Sequence, residues 1–118
     1  MLFSQNHTIF SNMEANEITS EINTIAGQIV KKYRPMKIIL FGSAGRRDYA
    51  QVNDLDFLII KEDVPLNGLD RIRELDKLID RNIAVDMLIY RPDEFDKRIE
   101  LGDPFIKTIL REGRVLYG

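Results

Sequence analysis

No cysteine occurs anywhere in these 118 residues, which excludes disulfide scaffolds and zinc–cysteine sites and is compatible with a reducing compartment. Histidine is nearly absent too. His7 is the sole example, in a polar terminal stretch where nothing holds it within reach of a reaction, so any metal must use oxygen ligands or His7. Charge of one sign is also lacking: the net charge of −2 gives no overall basic field for a long nucleic acid, although Lys31, Lys32, Arg34 and Lys37 form a local basic cluster that reads as a solvated helix end. No apolar run approaches membrane-spanning length, and no cationic leader precedes a long apolar stretch. The expected address is the cytoplasm, with no membrane partner. Repeats, low-complexity tracts and linkers are missing. A loose arm over residues 1–12 and one domain over residues 13–118 are therefore expected. The apolar residues Leu2, Phe3, Ile9 and Phe10 would dock on a second subunit or cover the domain's own core.

What is present is a chain 44% hydrophobic and 31% charged, about the size of one compact domain with apolar material for one core. Ile18, Ile22, Ile25, Ile29, Val30 and Tyr33 recur at helical spacing before Pro35, predicting a helix from near Glu14 to Arg34. Lys37 to Phe41 reads as a first strand stopped by Gly42, followed by a short helix or turn through Arg47. Leu55 to Ile60 reads as a second strand and Lys61 to Pro65 as a loop. Leu69, Ile72, Leu75, Leu78 and Ile79 form another helical stripe, on which Arg71, Arg73, Lys77 and Arg81 alternate with Asp70, Glu74, Asp76 and Asp80 as a solvated, ion-paired face. Ala84 to Tyr90 is the third strand. Pro92, Asp93 and Glu94 mark a helix start, Phe105, Ile106, Ile109 and Leu110 a last short helix, and Arg114 to Tyr117 an edge strand. The fold class is mixed α/β (α+β), a small mixed sheet flanked by helices.

Three carboxylates interrupt this apolar pattern. Gly42 and Ser43 are followed by ten residues and then by Asp54-Leu55-Asp56, which opens the run Phe57-Leu58-Ile59-Ile60, while Asp86 lies inside Ala84 to Tyr90. Residues two apart in a strand share a face roughly 6.6–7 Å apart, so Asp54 and Asp56 converge on one site, joined by Asp86 if the third strand lies beside the second. Three like charges so close need raised pKa values or bound cations. Magnesium prefers carboxylate and phosphate oxygens, and two such ions about 3.5–4 Å apart stabilise both oxygens of an in-line displacement. Each acid also has a bland reading: a turn residue, a surface acid, and a buried acid paired with an arginine.

Gly42 permits backbone conformations closed to other residues and lets a phosphate approach the main chain. Ser43 offers a hydroxyl and backbone N–H groups toward a triphosphate. Arg46 and Arg47 are placed to reach phosphate oxygens and stabilise a departing pyrophosphate, or simply to pair with Asp48. Tyr49 and Tyr90 stack on a base or, more simply, pack.

The stretch Ile39-Leu40-Phe41-Gly42-Ser43-Ala44-Gly45-Arg46, then Asn53-Asp54-Leu55-Asp56-Phe57-Leu58-Ile59, with Val85-Asp86-Met87-Leu88-Ile89 later, resembles the nucleotidyltransferase domain of the polymerase-β-like superfamily. More narrowly it resembles the minimal nucleotidyltransferases that act as antitoxins beside HEPN-domain ribonuclease toxins. The resemblance covers roughly Ile18 to Tyr117. It implies that Asp54 and Asp56 bind the metals, that Asp86 completes the site and helps activate the acceptor hydroxyl, and that Gly42 and Ser43 hold the nucleotide phosphates. The residue chemistry adds Arg46 as a further nucleotide contact and two Mg2+ ions held by Asp54, Asp56 and Asp86. The resemblance further implies transfer of AMP from ATP to a tyrosine of a partner HEPN-type toxin, in a hetero-oligomer with that toxin. Arg47 stands where a glycine commonly follows the motif arginine, and Asn53 where serine commonly precedes the first aspartate. The size of the chain leaves no room for a large acceptor domain, so a partner is expected to supply the acceptor. A module that masks the toxin without catalysis, and transfer to a small molecule or RNA end, stand as alternatives.

Overall fold

The computed structural model describes residues 13–118; the expected N-terminal arm, His7 and the Leu2/Phe3/Ile9/Phe10 set lie outside the described residues. Helix α1, Ala15–Gln28, begins with Glu14 and Glu17 satisfying each other's exposed backbone N–H groups. Its final turn, Ile29–Tyr33, widens so that the Arg34 N–H donates to the Ile29 carbonyl at 3.2 Å, and Arg34 stops the helix in a left-handed conformation (φ 56°) before Pro35. Four strands follow from the apolar runs: β1 Lys37–Phe41, β2 Asp54–Ile60, β3 Ala84–Tyr90 and β4 Arg114–Tyr117. They form one sheet in the order β3-β2-β1-β4, with β1 antiparallel to both β2 and β4 and β2 parallel to β3. The parallel pair requires a crossover, and α3 (Gly68–Asp76) supplies it, started by an Asn67 side chain that accepts from the Leu69 N–H at 2.8 Å. The short α2, Gly42–Gly45, links β1 toward β2. Helices α4 (Pro92–Glu100) and α5 (Pro104–Glu112) connect β3 to β4.

Strand alternation sends the apolar side chains to two faces. On one face Leu55, Phe57 and Ile59 join Ile38 and Leu40 under the α1 stripe of Ile18, Ile22, Ile25 and Ile29, together with Leu75 of α3. On the other, Leu58 and Ile60 pack with Ile39 beneath Phe95 of α4 and Ile106 and Ile109 of α5. Burying a side chain of this size contributes about 1.5–3 kcal/mol, so both layers hold the sheet firmly. Asp54 and Asp56 share the face of Leu58 and Ile60, as the alternation predicts, but lie beyond the end of the helical cover. Two polar ties fix the approach to β3. Gln28 exchanges hydrogen bonds with the Asp80 backbone at 2.8 and 2.7 Å, and the buried Glu21 carboxylate accepts from the Asn82 N–H at 2.7 Å.

The solvated-face reading of α3 fails at one residue. Arg71 is only 4% exposed: its guanidinium donates to both Glu94 oxygens (2.7 and 3.1 Å) and to the carbonyls of Pro65 (2.6 Å) and Ile89 (3.0 Å). The physical reason is its place four residues before Leu75, on the inward stripe, where the loop ahead of α3 and the edge of β3 present carbonyls. Arg73, by contrast, is exposed and makes only a loose 3.6 Å contact with Asp70.

Candidate active site

Gly42 ends β1 at φ 67°, a left-handed conformation that favours glycine. It is constrained a second time from across the sheet, because Phe41 is the strand partner of Asp56. A Cβ at position 42 would run into the Asp56 carboxylate and lie 3.1 Å from its Cγ. The turn that follows is pressed against the C-terminal strand. A Cβ at Gly45 would lie 2.6 Å from the Leu40 carbonyl oxygen, and one at Gly113 would lie 2.6 Å from the Ile109 oxygen and 2.8 Å from Ile39 Cγ2. Arg114 locks the same turn from outside, donating to the Ala44 carbonyl at 3.0 Å and to the Tyr49 hydroxyl at 3.2 Å.

The three acids come together as the spacing predicts. Asp54 faces Ala84 and Asp56 faces Asp86 in the parallel register, and one carboxylate oxygen from each of Asp54, Asp56 and Asp86 lies within 4.8 Å of the others. Their surroundings differ. Asp54 and Asp56 are half-buried, whereas Asp86 is exposed, because β3 is the edge of the sheet and Ala84 and Asp86 stand clear of α4. Burial, then the charges of Asp54 and Asp86, push the Asp56 carboxyl up to about 6, against a smaller opposing pull from Arg46. Burial and the Asp86 carboxyl raise Asp54 as well. Carboxylates held this way are oxygen donors of the kind hard divalent cations take, and Arg46 offsets their charge only in part.

Arg46 is exposed, with one guanidinium nitrogen 3.5 Å from the Ser43 hydroxyl oxygen and another 3.5 Å from Glu112. Contacts at that length are weak, leaving the side chain free to turn to an anion over the turn. Arg47 takes φ 61°, a left-handed conformation that favours glycine, and is exposed to solvent. Tyr49 and Tyr90 both pack: Tyr49 against the larger core and Tyr90 against Phe95 at 6.1 Å. Sequence reasoning missed Arg114 and Glu112. Nothing in the local sequence links residues 112–114 to residues 44–46; only the pairing of β1 with β4 does.

A doubly anchored glycine turn facing three clustered carboxylates across an antiparallel strand pair is a candidate site for chemistry on a phosphate-bearing substrate. Residues 23–118 match the family model described as polymerase beta, nucleotidyltransferase, and the chain belongs to that family. It is 34% identical over 99 residues, covering 81% of this chain and 94% of the relative, to a protein of Methanocaldococcus jannaschii named as a candidate protein adenylyltransferase. Its fold is similar to the crystal structure of a candidate nucleotidyltransferase from Sulfolobus solfataricus, with TM-score 0.52 and 25% identity over 75% of this chain and 84% of that one. The chain is a nucleotidyltransferase with the mixed α/β fold expected from its pattern. Among the described residues no helix is long and apolar enough to cross a membrane.

Proposed function

We infer that the protein transfers AMP from ATP to a hydroxyl, a tyrosine in the reading its sequence favours, on a partner HEPN-type ribonuclease toxin, and so acts as that toxin's antitoxin. The observation that carries the chemistry is the convergence of Asp54, Asp56 and Asp86 within 4.8 Å beside the Gly42-Ser43 turn. The protein acceptor is supported by the name of the Methanocaldococcus relative. The toxin as partner rests on the sequence resemblance.

Asp54, Asp56 and Asp86 would hold divalent cations, with Mg2+ the proposed ion, and bound cations there would neutralise the acids and polarise the α-phosphate. Gly42 lets the triphosphate approach the main chain, and Ser43 donates its hydroxyl to a phosphate oxygen. Arg46 leaves its weak contact with Glu112 and stabilises the negative charge that collects on the departing pyrophosphate. Asp86, on the exposed side, meets the acceptor, and its free oxygen accepts the hydroxyl proton. The acceptor oxygen forms its bond to the α-phosphorus as the bond to the pyrophosphate oxygen breaks.

The test is the intact mass of the partner protein after incubation with this chain, Mg2+ and each nucleoside triphosphate, beside Asp54→Ala/Asp56→Ala. A gain of one or more AMP units that the variant does not produce is expected. A stable complex without any mass gain would instead indicate a module that masks its partner by binding, and AMP appearing on a small molecule or RNA end would replace the protein acceptor.

A further inference from the structure

Beyond Asp86 the outer edge of β3 opens into a cleft of about 610 Å³ between α3 and α4. Its floor is Met87 to Tyr90, and its walls carry Leu66 from the α3 side and Lys97, Arg98 and Leu101 from α4. Resting on the transferase reading above, we propose that this cleft docks the acceptor as an extended, acidic polypeptide segment that pairs with the free edge of β3 and carries its hydroxyl to Asp86.

Four observations support this occupant. The first is continuity with the site. Asp86, Leu88 and Tyr90 share one face of β3, each pair separated by roughly 6.6–7 Å. After α4 the chain turns back toward the catalytic end: Phe105, in the first turn of α5, packs edge-on at 5.8 Å against Phe41, the strand partner of Asp56. The second is the main chain. Arg71 donates to the Ile89 carbonyl, so that group points away from β2, and strand alternation turns the main-chain groups of Met87 and Val85 the same way. Among the described residues neither has a main-chain partner on that side. Such an edge takes an added strand, with hydrogen bonds giving affinity and side-chain pockets giving selectivity.

The third is exposed apolar surface. Leu66 is 86% and Leu101 67% exposed at the cleft walls, and Ile99 and Phe105 nearby are also exposed. The fourth is charge. Arg71 is neutralised by Glu94 and Arg98 meets Asp103 only at 3.6 Å, while Lys97 has no ion pair among the described residues, which leaves the walls net positive.

The probe is a fluorescein-labelled glutamate–tyrosine copolymer, with a lysine–tyrosine copolymer as control, followed by anisotropy; label transfer from ATP to the same polymer is measured separately. Wild type is expected to bind the acidic polymer at least about tenfold tighter than the basic one. Lys97→Glu/Leu101→Asp should lose about tenfold in that affinity with fluorescent ATP binding in Mg2+ unchanged, and Lys31→Glu/Lys32→Glu should bind as wild type. No binding by wild type, equal binding by the Lys97/Leu101 variant, or loss on changing Lys31 and Lys32 would overturn the proposal. So would weakened ATP binding in the Lys97/Leu101 variant, which assigns the cleft to the nucleotide, or a change in its sedimentation, which assigns the cleft to a second copy. Binding without label transfer would sink the transferase reading and leave the cleft standing; transfer indifferent to Lys97 and Leu101 would do the reverse.

Discussion

The two flanks of the acidic cluster are built in opposite ways. On the β1 side, the turn from Gly42 to Gly45 is squeezed between Asp56, Leu40 and Gly113, pinned by Arg114, and too tight to admit a single added methyl group without a shift. On the β3 side, Asp86 stands exposed at the edge of the sheet beside an open cleft. A triphosphate has one shape, so the flank that receives it gains from rigidity. An acceptor delivered by another molecule needs room to arrive, and an open edge gives it.

Experiments that strike one flank at a time would sharpen or break this contrast. The largest effect is expected at the shared centre. Asp54→Ala/Asp56→Ala should abolish transfer, by at least about a thousandfold, yet melt no lower than wild type without metal, because it removes mutually repelling charges and no core packing. Transfer at the wild-type rate would show the metal assignment to be wrong. On the rigid flank, Gly113→Ala should cost about 2–3 kcal/mol by overpacking against the Ile109 carbonyl and Ile39, and should weaken ATP binding more than acceptor binding. Calorimetry of both ligands reads the ratio.

On the open flank, Arg71→Met takes away the shorter of Glu94's two ion pairs, leaving its contacts with Arg91, and removes the cap on the Ile89 carbonyl. A loss of about 2–3 kcal/mol is expected in urea unfolding, less than for a fully buried pair because Glu94 keeps 30% exposure. Here acceptor binding should suffer first.

The pH dependence follows from Asp56, whose folded value of about 6 lies above that of the unfolded chain. Between the ordinary carboxylate range and pH 6 the folded state binds the extra proton, so metal-free stability falls as pH rises through that window. Metal must displace the same proton, so apparent Mg2+ affinity should fall as pH drops below about 6. Asp56→Asn would flatten the stability profile, and a titration curve unchanged by it would contradict the assignment. The smallest effect is at Arg47: relieving its left-handed backbone with Arg47→Gly should raise stability by about 0.5–1 kcal/mol, with ATP binding unchanged.

Periodicity made much of this legible. Short apolar runs located β1, β2 and β3, and the interruption of those runs by Asp54, Asp56 and Asp86 pointed to the chemistry, because acids inside strands carry a desolvation cost that something must offset. What could not be read was adjacency. Nothing local says that β3 is an edge, so the exposure of Asp86 beside the half-buried Asp54 and Asp56 could not be read from the apolar run it interrupts. Arg71 was readable in principle, since its spacing to Leu75 puts it on the inner stripe, but a charged residue among alternating charges looks solvated until the facing carbonyls are known. Arg114 carried no such clue. Its partners are 65 and 70 residues away in sequence.

That separation bears on when the protein becomes an enzyme. On a ribosome, a nascent chain that has released residues up to Glu112 already contains all three carboxylates and the Gly-Ser turn. It lacks the strand that presses the turn into shape, since Ile39 pairs with Val115 only after both have emerged. Transfer activity is therefore expected only once β4 has emerged and paired with β1, and a product truncated before Arg114 would carry the motif without that support.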